Sequence, residues 1–249
     1  MTGNFSSLLL QNAQEAPDKT ALTLLLAGKP DLPVSYSALL NGAAAWQAAF
    51  QRAGILPGEV VVLILQHGLD LIHAWWGAIL HGAIPSIMPF LTEKLQPERY
   101  RADLAALISI TRPECLVTYH EFEAEVRKAV PHESSVRAIL IAEDVAAVGE
   151  GNLAEAPGLQ RPSDSIVLLQ HSSGTTGLQK GVALSHQAVF NQLRTYSQTL
   201  HLTSEDVIVS WLPLYHDMGL IAGFLMPILL RIPLVLLSPF DWVRAPYRL

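Results

Sequence analysis

Residues 170 to 181 read Gln-His-Ser-Ser-Gly-Thr-Thr-Gly-Leu-Gln-Lys-Gly. From Ser172 to Gly181 this run holds three glycines, four hydroxyl side chains and one lysine. Glycines such as Gly174 and Gly177 let the backbone turn through positive φ and point successive N–H groups at an anion. The hydroxyls of Ser172, Ser173, Thr175 and Thr176 add donors, and Lys180 adds a point charge, so the run suits a polyphosphate. Two familiar phosphate loops do not fit. A Walker A loop needs lysine directly after its second glycine and then Ser or Thr, whereas Lys180 stands three places after Gly177 and precedes Gly181; no G-x-G-x-x-G fingerprint is present.

A second group follows downstream in Trp211-Leu212-Pro213-Leu214-Tyr215-His216-Asp217-Met218-Gly219-Leu220. His216 comes just after a predicted strand, at the end where open α/β sheets place their ligands. Asp217 is a good helix N-cap, and an acid there also meets the positive end of the helix dipole. A capping role for Asp217 is therefore at least as natural as a chemical one. Cys115 sits in an apolar run and reads as a small core residue rather than a nucleophile.

The elements that must position these groups alternate along the chain. Val60–Leu65, Ile84–Met88, Leu116–Thr118, Ala138–Ile141, Ile166–Leu169, Val207–Ser210 and Leu234–Leu237 read as strands. Tyr36–Arg52, Leu69–His81, Glu98–Thr111, Phe122–Ala129, Ser185–Leu200 and Met218–Leu230 read as helices, with Gly54 and Gly82 at C-cap positions. The pattern predicts an α/β fold of two similar subdomains with mainly parallel sheets flanked by helices. Glu59–Phe90 and Asp206–Phe240 share one plan: acidic residue, β run, His-containing loop, apolar helix, β run, Pro-Phe. Each predicts a β-α-β unit. The stretch 147–161 lacks apolar periodicity, which predicts a first subdomain over 1–160 and the start of a second, incomplete one over 161–249.

Composition narrows the classes. The 249 residues are 50% hydrophobic and 15% charged, enough to bury a large core. A net charge of −6 without clustered Lys and Arg argues against a nucleic-acid partner. One cysteine and no basic-then-apolar leader make the cytoplasm the expected compartment. Residues 219–238 are apolar enough to suggest a membrane span, but Arg231, Pro227 and Pro233 argue for a buried helix followed by a buried strand.

Ser172–Gly181 resembles the phosphate-binding signature of the adenylate-forming superfamily, Ser/Thr-Ser-Gly-Ser/Thr-Thr-Gly-x-Pro-Lys-Gly, with Gln179 in place of its proline. Pro213–Leu220 resembles the next core motif in the form found in fatty acyl-AMP ligases. Ser238-Pro239-Phe240-Asp241-Trp242, Pro17–Leu22 and Leu56–Val61 are similar to weaker segments of the same group. The resemblance spans nearly the whole chain.

It implies attack of a carboxylate, that of a fatty acid by the motif's form, on the α-phosphorus of ATP, giving acyl-adenylate and pyrophosphate. In the complete enzyme the acyl group then passes to coenzyme A or an acyl-carrier-protein thiol. Ser172, Ser173, Gly174, Thr175, Thr176, Gly177, Lys180 and Gly181 would hold ATP, with Lys180 neutralising the pyrophosphate and Thr176 near Mg²⁺. Tyr215, His216, Asp217, Met218 and Gly219 would line the substrate site, with Lys180 and His216 catalytic, and Met218–Leu230 would wall the acyl pocket. The family's adenine, ribose and C-terminal lysine motifs have no match here, so the chain reads as an N-terminal portion, inactive alone. Two other readings stay open: a non-catalytic nucleotide- or acyl-binding module, and a phosphotransferase or NTPase.

Overall fold

The computed structural model describes residues 3–90, 96–145, 153–172 and 180–248, without the side chains of Ser172 and Lys180. In chain order the main elements are α1 (Phe5–Glu15), β1 (Thr20–Leu25), β2 (Leu32–Ser35), α2 (Tyr36–Arg52), β3 (Val60–Leu63), α3 (Leu69–His81) and β4 (Ile84–Ile87). Then come α4 (Pro97–Thr111), β5 (Cys115–Thr118), α5 (His120–Ala129), β6 (Ala138–Ile141), β7 (Ile166–Ser172), β8 (Lys180–Ser185) and α6 (His186–Thr199). The last are β9 (Ile208–Ser210), a π-helix (Met218–Leu225), α7 (Met226–Leu230), β10 (Leu234–Leu237) and α8 (Pro239–Arg244).

Among the described residues the strands form two sheets, one ordered β2-β1-β10-β9 and the other β6-β5-β3-β4-β7-β8. Only β1–β2 and β7–β8 pair antiparallel among the described pairings. The two expected β-α-β units are present, one per sheet: β3 pairs parallel with β4 across α3, and β9 with β10 across the π-helix and α7. The sheets do not follow chain order, however. β1 and β2 join β9 and β10, while β7 and β8 join β3–β6, so the expected division at residue 160 coincides with no sheet boundary. An aperiodic stretch marks a connection, but it does not say which sheet receives the next strand; here β4 offers a parallel edge to β7, with Ser86 opposite Leu169.

Period-two alternation places the core. Val61 and Leu63 face one apolar cluster that also takes Leu22 and Leu236 from the other sheet, whereas Val62 and Ile64 face a second cluster with Leu104, Leu107 and Val126 of α4 and α5. The six-stranded sheet is therefore covered on both faces, as parallel strands require. Cys115 is fully buried, and burial pushes its thiol up to about 12, which leaves it a core residue as expected.

Residues 219–238 fold as helix, turn and strand, and no helix among the described residues is long and apolar enough to cross a membrane. The first part of the expected 218–230 helix is wound wider than α, with Met226 N–H donating to the Ile221 carbonyl. Its glycines let it press onto the loop beside it: a Cβ on Gly219 would lie 2.3 Å from the Pro213 carbonyl oxygen, and one on Gly223 2.7 Å from Ser210 Oγ. Pro227, which has no N–H, cannot continue an α ladder back to Gly223. The helix ends at Arg231 in a left-handed conformation (φ 58°), and its last carbonyls are taken by side chains. Tyr36 Oη donates to Ile228 O at 2.7 Å, Asn12 Nδ2 to Ile228 O at 3.2 Å, and Lys19 Nζ to Arg231 O at 2.8 Å.

α2 and α3 cross at glycines. A Cβ on Gly77 would stand 2.3 Å from Trp46 Cβ and 2.8 Å from the Ala43 carbonyl oxygen. Gly77→Ala is therefore expected to destabilise the fold by about 1–3 kcal/mol through overpacking, against a gain of about 1 kcal/mol in helix propensity. Urea unfolding measures the balance, and a more stable variant would show the crossing to be looser than described.

Candidate functional site

β7 and β8 form an antiparallel hairpin in which His171 pairs with Gly181 and Ser172 with Lys180. The backbone thus brings the two ends of the glycine-rich run face to face. Ser173, Gly174, Thr175, Thr176 and Gly177 lie outside the described residues. Gly181 is exposed, beside the His171 ring. Because β7 runs parallel to β4, the hairpin opens at the C-terminal edge of the six-stranded sheet.

Two side chains at the end of β7 fix it to its surroundings. His171 Nε2 and Ser86 Oγ on β4 lie 2.6 Å apart, and burial holds the imidazole below its usual pKa. On the opposite side Gln170 Nε2 donates to the Tyr215 carbonyl at 2.5 Å. That bond crosses from one sheet's edge to the loop after β9, at the C-terminal edge of the other.

The 211–217 loop is held from several directions. Trp211 stacks on Trp242 of α8 with ring centroids 3.9 Å apart and planes 6° from parallel. Leu214 is buried, and Tyr215 is half-buried with its ring 4.9 Å from that of His216. Asp217 Oδ1 accepts from Met218 N at 2.7 Å, at the first residue of the π-helix. His216, Asp217 and Met218 are exposed and Gly219 is buried. Behind the loop a small apolar cavity is lined from four strand ends: His67 after β3, Phe90 after β4, Leu214 and Tyr215 after β9, and Phe240 after β10. The Phe90 and Phe240 rings are 5.7 Å apart, so the Pro-Phe ends of the two β-α-β units meet here.

Along the other side of Met218 a cleft of about 300 Å³ runs between α6 and the π-helix. Leu184, Val189, Tyr196, Met218 and Ile221 give it mostly apolar walls. The segment Met218–Leu230, apolar all round, thus has two uses: Phe224, Leu225, Ile228 and Leu229 fill the core while Met218 and Ile221 face the cleft.

Gln170 and the His171–Ser86 pair were not among the residues singled out from sequence. A glutamine and a histidine at the end of an apolar strand, just before a phosphate-type loop, were the available signal.

The sequence and structure have known counterparts. The family model described as "AMP-binding enzyme" matches residues 9–249. The long-chain-fatty-acid–AMP ligase FadD26 of Mycobacterium bovis is 29% identical over 259 residues, covering 97% of this chain and 42% of that protein. The 4-hydroxyphenylalkanoate adenylyltransferase of Mycobacterium tuberculosis is 29% identical over 198 residues, covering 77% of this chain and 31% of that protein. A fatty acyl-adenylate ligase from L. pneumophila, solved with acyl adenylate and pyrophosphate, superposes with a TM-score of 0.81 at 27% identity, over 98% of this chain and 41% of that one. The chain spans less than half the length of these relatives. With the family's pattern running through the hairpin and the 211–217 loop alike, this chain belongs to the AMP-binding enzyme family.

Proposed function

We propose that the chain supplies the phosphate loop and the carboxylate-side loop of an enzyme that activates a fatty acid with ATP. The observation that carries this reading is the meeting of the β7 end and the 211–217 loop through Gln170, beside an apolar cleft that starts at Met218. The carboxylate attacks the α-phosphorus, the bond to the β-phosphate oxygen breaks, and pyrophosphate leaves. Such a displacement depends on positioning and charge neutralisation. Gly174 and Gly177 shape the loop, Ser172, Ser173, Thr175 and Thr176 donate to the phosphates, Gly181 closes the loop's base, and Lys180 offsets the charge on the leaving group. Tyr215, His216, Asp217, Met218 and Gly219 frame the carboxylate and the first part of the acyl chain.

Mg²⁺ would accompany the triphosphate whose charge it screens, with the Thr176 hydroxyl as the residue to hold it. In the complete enzyme, acting in the cytoplasm, the acyl group passes on to coenzyme A or a carrier-protein thiol. Relatives that carry fatty-acid–AMP ligase names favour a fatty acid over other carboxylic acids.

Fatty-acid-dependent exchange of labelled pyrophosphate into ATP by the full-length protein is the test. Exchange with a long-chain acid, falling at least about tenfold in His216→Ala, is expected. Release of inorganic phosphate without exchange would point to a phosphotransferase, and nucleotide binding without either would point to a binding module. The 249-residue chain by itself is expected to show no exchange, since it matches only 42% of the ligase's length.

A further inference from the structure

From its hydrogen bond to the Tyr215 carbonyl we infer that Gln170 is a positioning residue that couples the nucleotide side of the site to the acid side. The inference rests on the acid-activating reading above. β7 belongs to the six-stranded sheet and the 211–217 loop follows a strand of the four-stranded one, so the two halves of the site sit on different sheets. In-line attack needs the reacting atoms held about 3–3.5 Å apart, and a misplacement of 1 Å is costly. Something has to register one sheet edge against the other, and Gln170 spans that junction.

Its chemistry fits the task. Gln170 is 8% exposed, and it sits two residues before the first hydroxyl of the glycine-rich run. Tyr215 O can only accept, so the amide orientation is fixed: Nε2 faces the loop and Oε1 faces away. Oε1 is buried and has no hydrogen-bond partner among the described residues. An unpaired acceptor at that depth is unfavourable for folding alone and is the kind of feature kept at working sites. The neighbouring His171 holds the same strand end to β4, so movement of the Ser172 end of β7 is passed to the Tyr215–His216 loop rather than dissipated in the strand. The acceptor is a backbone carbonyl, so the bond sets the height of the whole loop, with His216 the next residue along.

Two sites joined in this way are coupled in binding, and the coupling acts in both directions. In the full-length protein the Kd of a non-hydrolysable ATP analogue, measured with and without a saturating long-chain fatty acid, should change by about fivefold or more. In Gln170→Met, which keeps the side chain's length and removes the donor, that ratio should fall to about 1 while each separate affinity stays within about threefold. Gln170→Glu, an acceptor of the same shape, should fail likewise. A role confined to stability would lower the unfolding midpoint and leave the ratio intact in the folded fraction. A wild-type ratio retained in Gln170→Met overturns the inference and leaves the activity standing; a wild-type protein that binds neither ligand overturns both.

Discussion

Trp75→Ala should remove about 3–5 kcal/mol of stability, the range for truncating a large aromatic in a core. Trp75 is 1% exposed and stands where three helices meet. Its ring centroid lies 5.0 Å from that of Trp76 on α3 at an interplanar angle of 84°, 6.0 Å from Phe224 on the π-helix at 87°, and 6.5 Å from Phe5 on α1. The first two are edge-to-face contacts, which favour aromatic pairs beyond their buried area. Trp75 Nε1 has no partner among the described residues, so the loss is one of packing and not of a hydrogen bond. The control follows from that fact: Trp75→Phe keeps most of the ring contacts and drops the unpaired N–H, and should cost about 1 kcal/mol or less. Denaturant midpoints of the two variants decide it. An alanine variant within 1 kcal/mol of the parent would mean that the cluster is not packed as described. The effect should also reach the site, because Phe224 lies on the helix whose first residue, Met218, borders both the 211–217 loop and the cleft.

Acidification should destabilise the fold between about pH 6.5 and 4. Burial lowers the pKa values of His67, His73 and His186 to about 4, and those of His81 and His171 are also lowered. An unfolded chain takes up protons at these positions near the ordinary histidine value of about 6.5, whereas in the folded chain His67, His73 and His186 do not until about 4, and His81 and His171 also lag behind the unfolded chain. The unfolded state therefore binds more protons throughout that window. Stability is fully present above it and falls as the pH drops.

His186 shows the cause at atomic detail. It is 3% exposed, its Nδ1 accepts from Phe5 N at 3.2 Å, and it opens α6, where the helix dipole opposes a positive charge. Burial is the larger cause and the Arg161 charge adds to it. At about 1.4 kcal/mol per pKa unit, His186 alone accounts for up to about 3 kcal/mol across the window. Urea midpoints at pH 7.5 and pH 5 should differ clearly, and His186→Asn should reduce the difference, leaving the part due to the other buried histidines. Equal midpoints in the parent protein would refute the attribution. Asp70, whose pKa is raised by burial and by Glu143, works in the opposite sense and trims the effect.

Much of the fold was legible because its strands are short, apolar and set apart by long helices. α2 and α3 run over Tyr36–Arg52 and Leu69–His81 as read from sequence, and the seven expected strands are all present. Other strands escaped for physical reasons. β2 contains Pro33, which cannot donate to a ladder and argues against a central strand; it is tolerated because β2 is an edge. β8 is exposed at Gly181, Val182 and Ala183 and so lacks the alternation that marks a half-buried strand. β1 is recognisable mainly through its pairing with β10, a contact that no local window contains.

The site divides in the same way. The glycine-rich run and the Pro-Leu-Tyr-His-Asp segment are visible as residue types at fixed spacing. The Gln170 bond ends on a backbone carbonyl 45 positions away, and a carbonyl has no sequence signature.

The interleaving of the two sheets also bears on how the protein is made. Lys19 and Arg231, which meet at the end of α7, are 212 positions apart, and β1 next to them waits for β10 before its parallel edge is paired. At about 5–20 residues per second of synthesis, the N-terminal hairpin of β1 and β2 remains without its neighbour for about 10–40 s. During that interval the ribosome has already released the strands β3 to β8, so the six-stranded sheet can form first and the four-stranded one closes over it last. The early hairpin would then be an open apolar edge on the nascent chain and a natural target for a chaperone during translation.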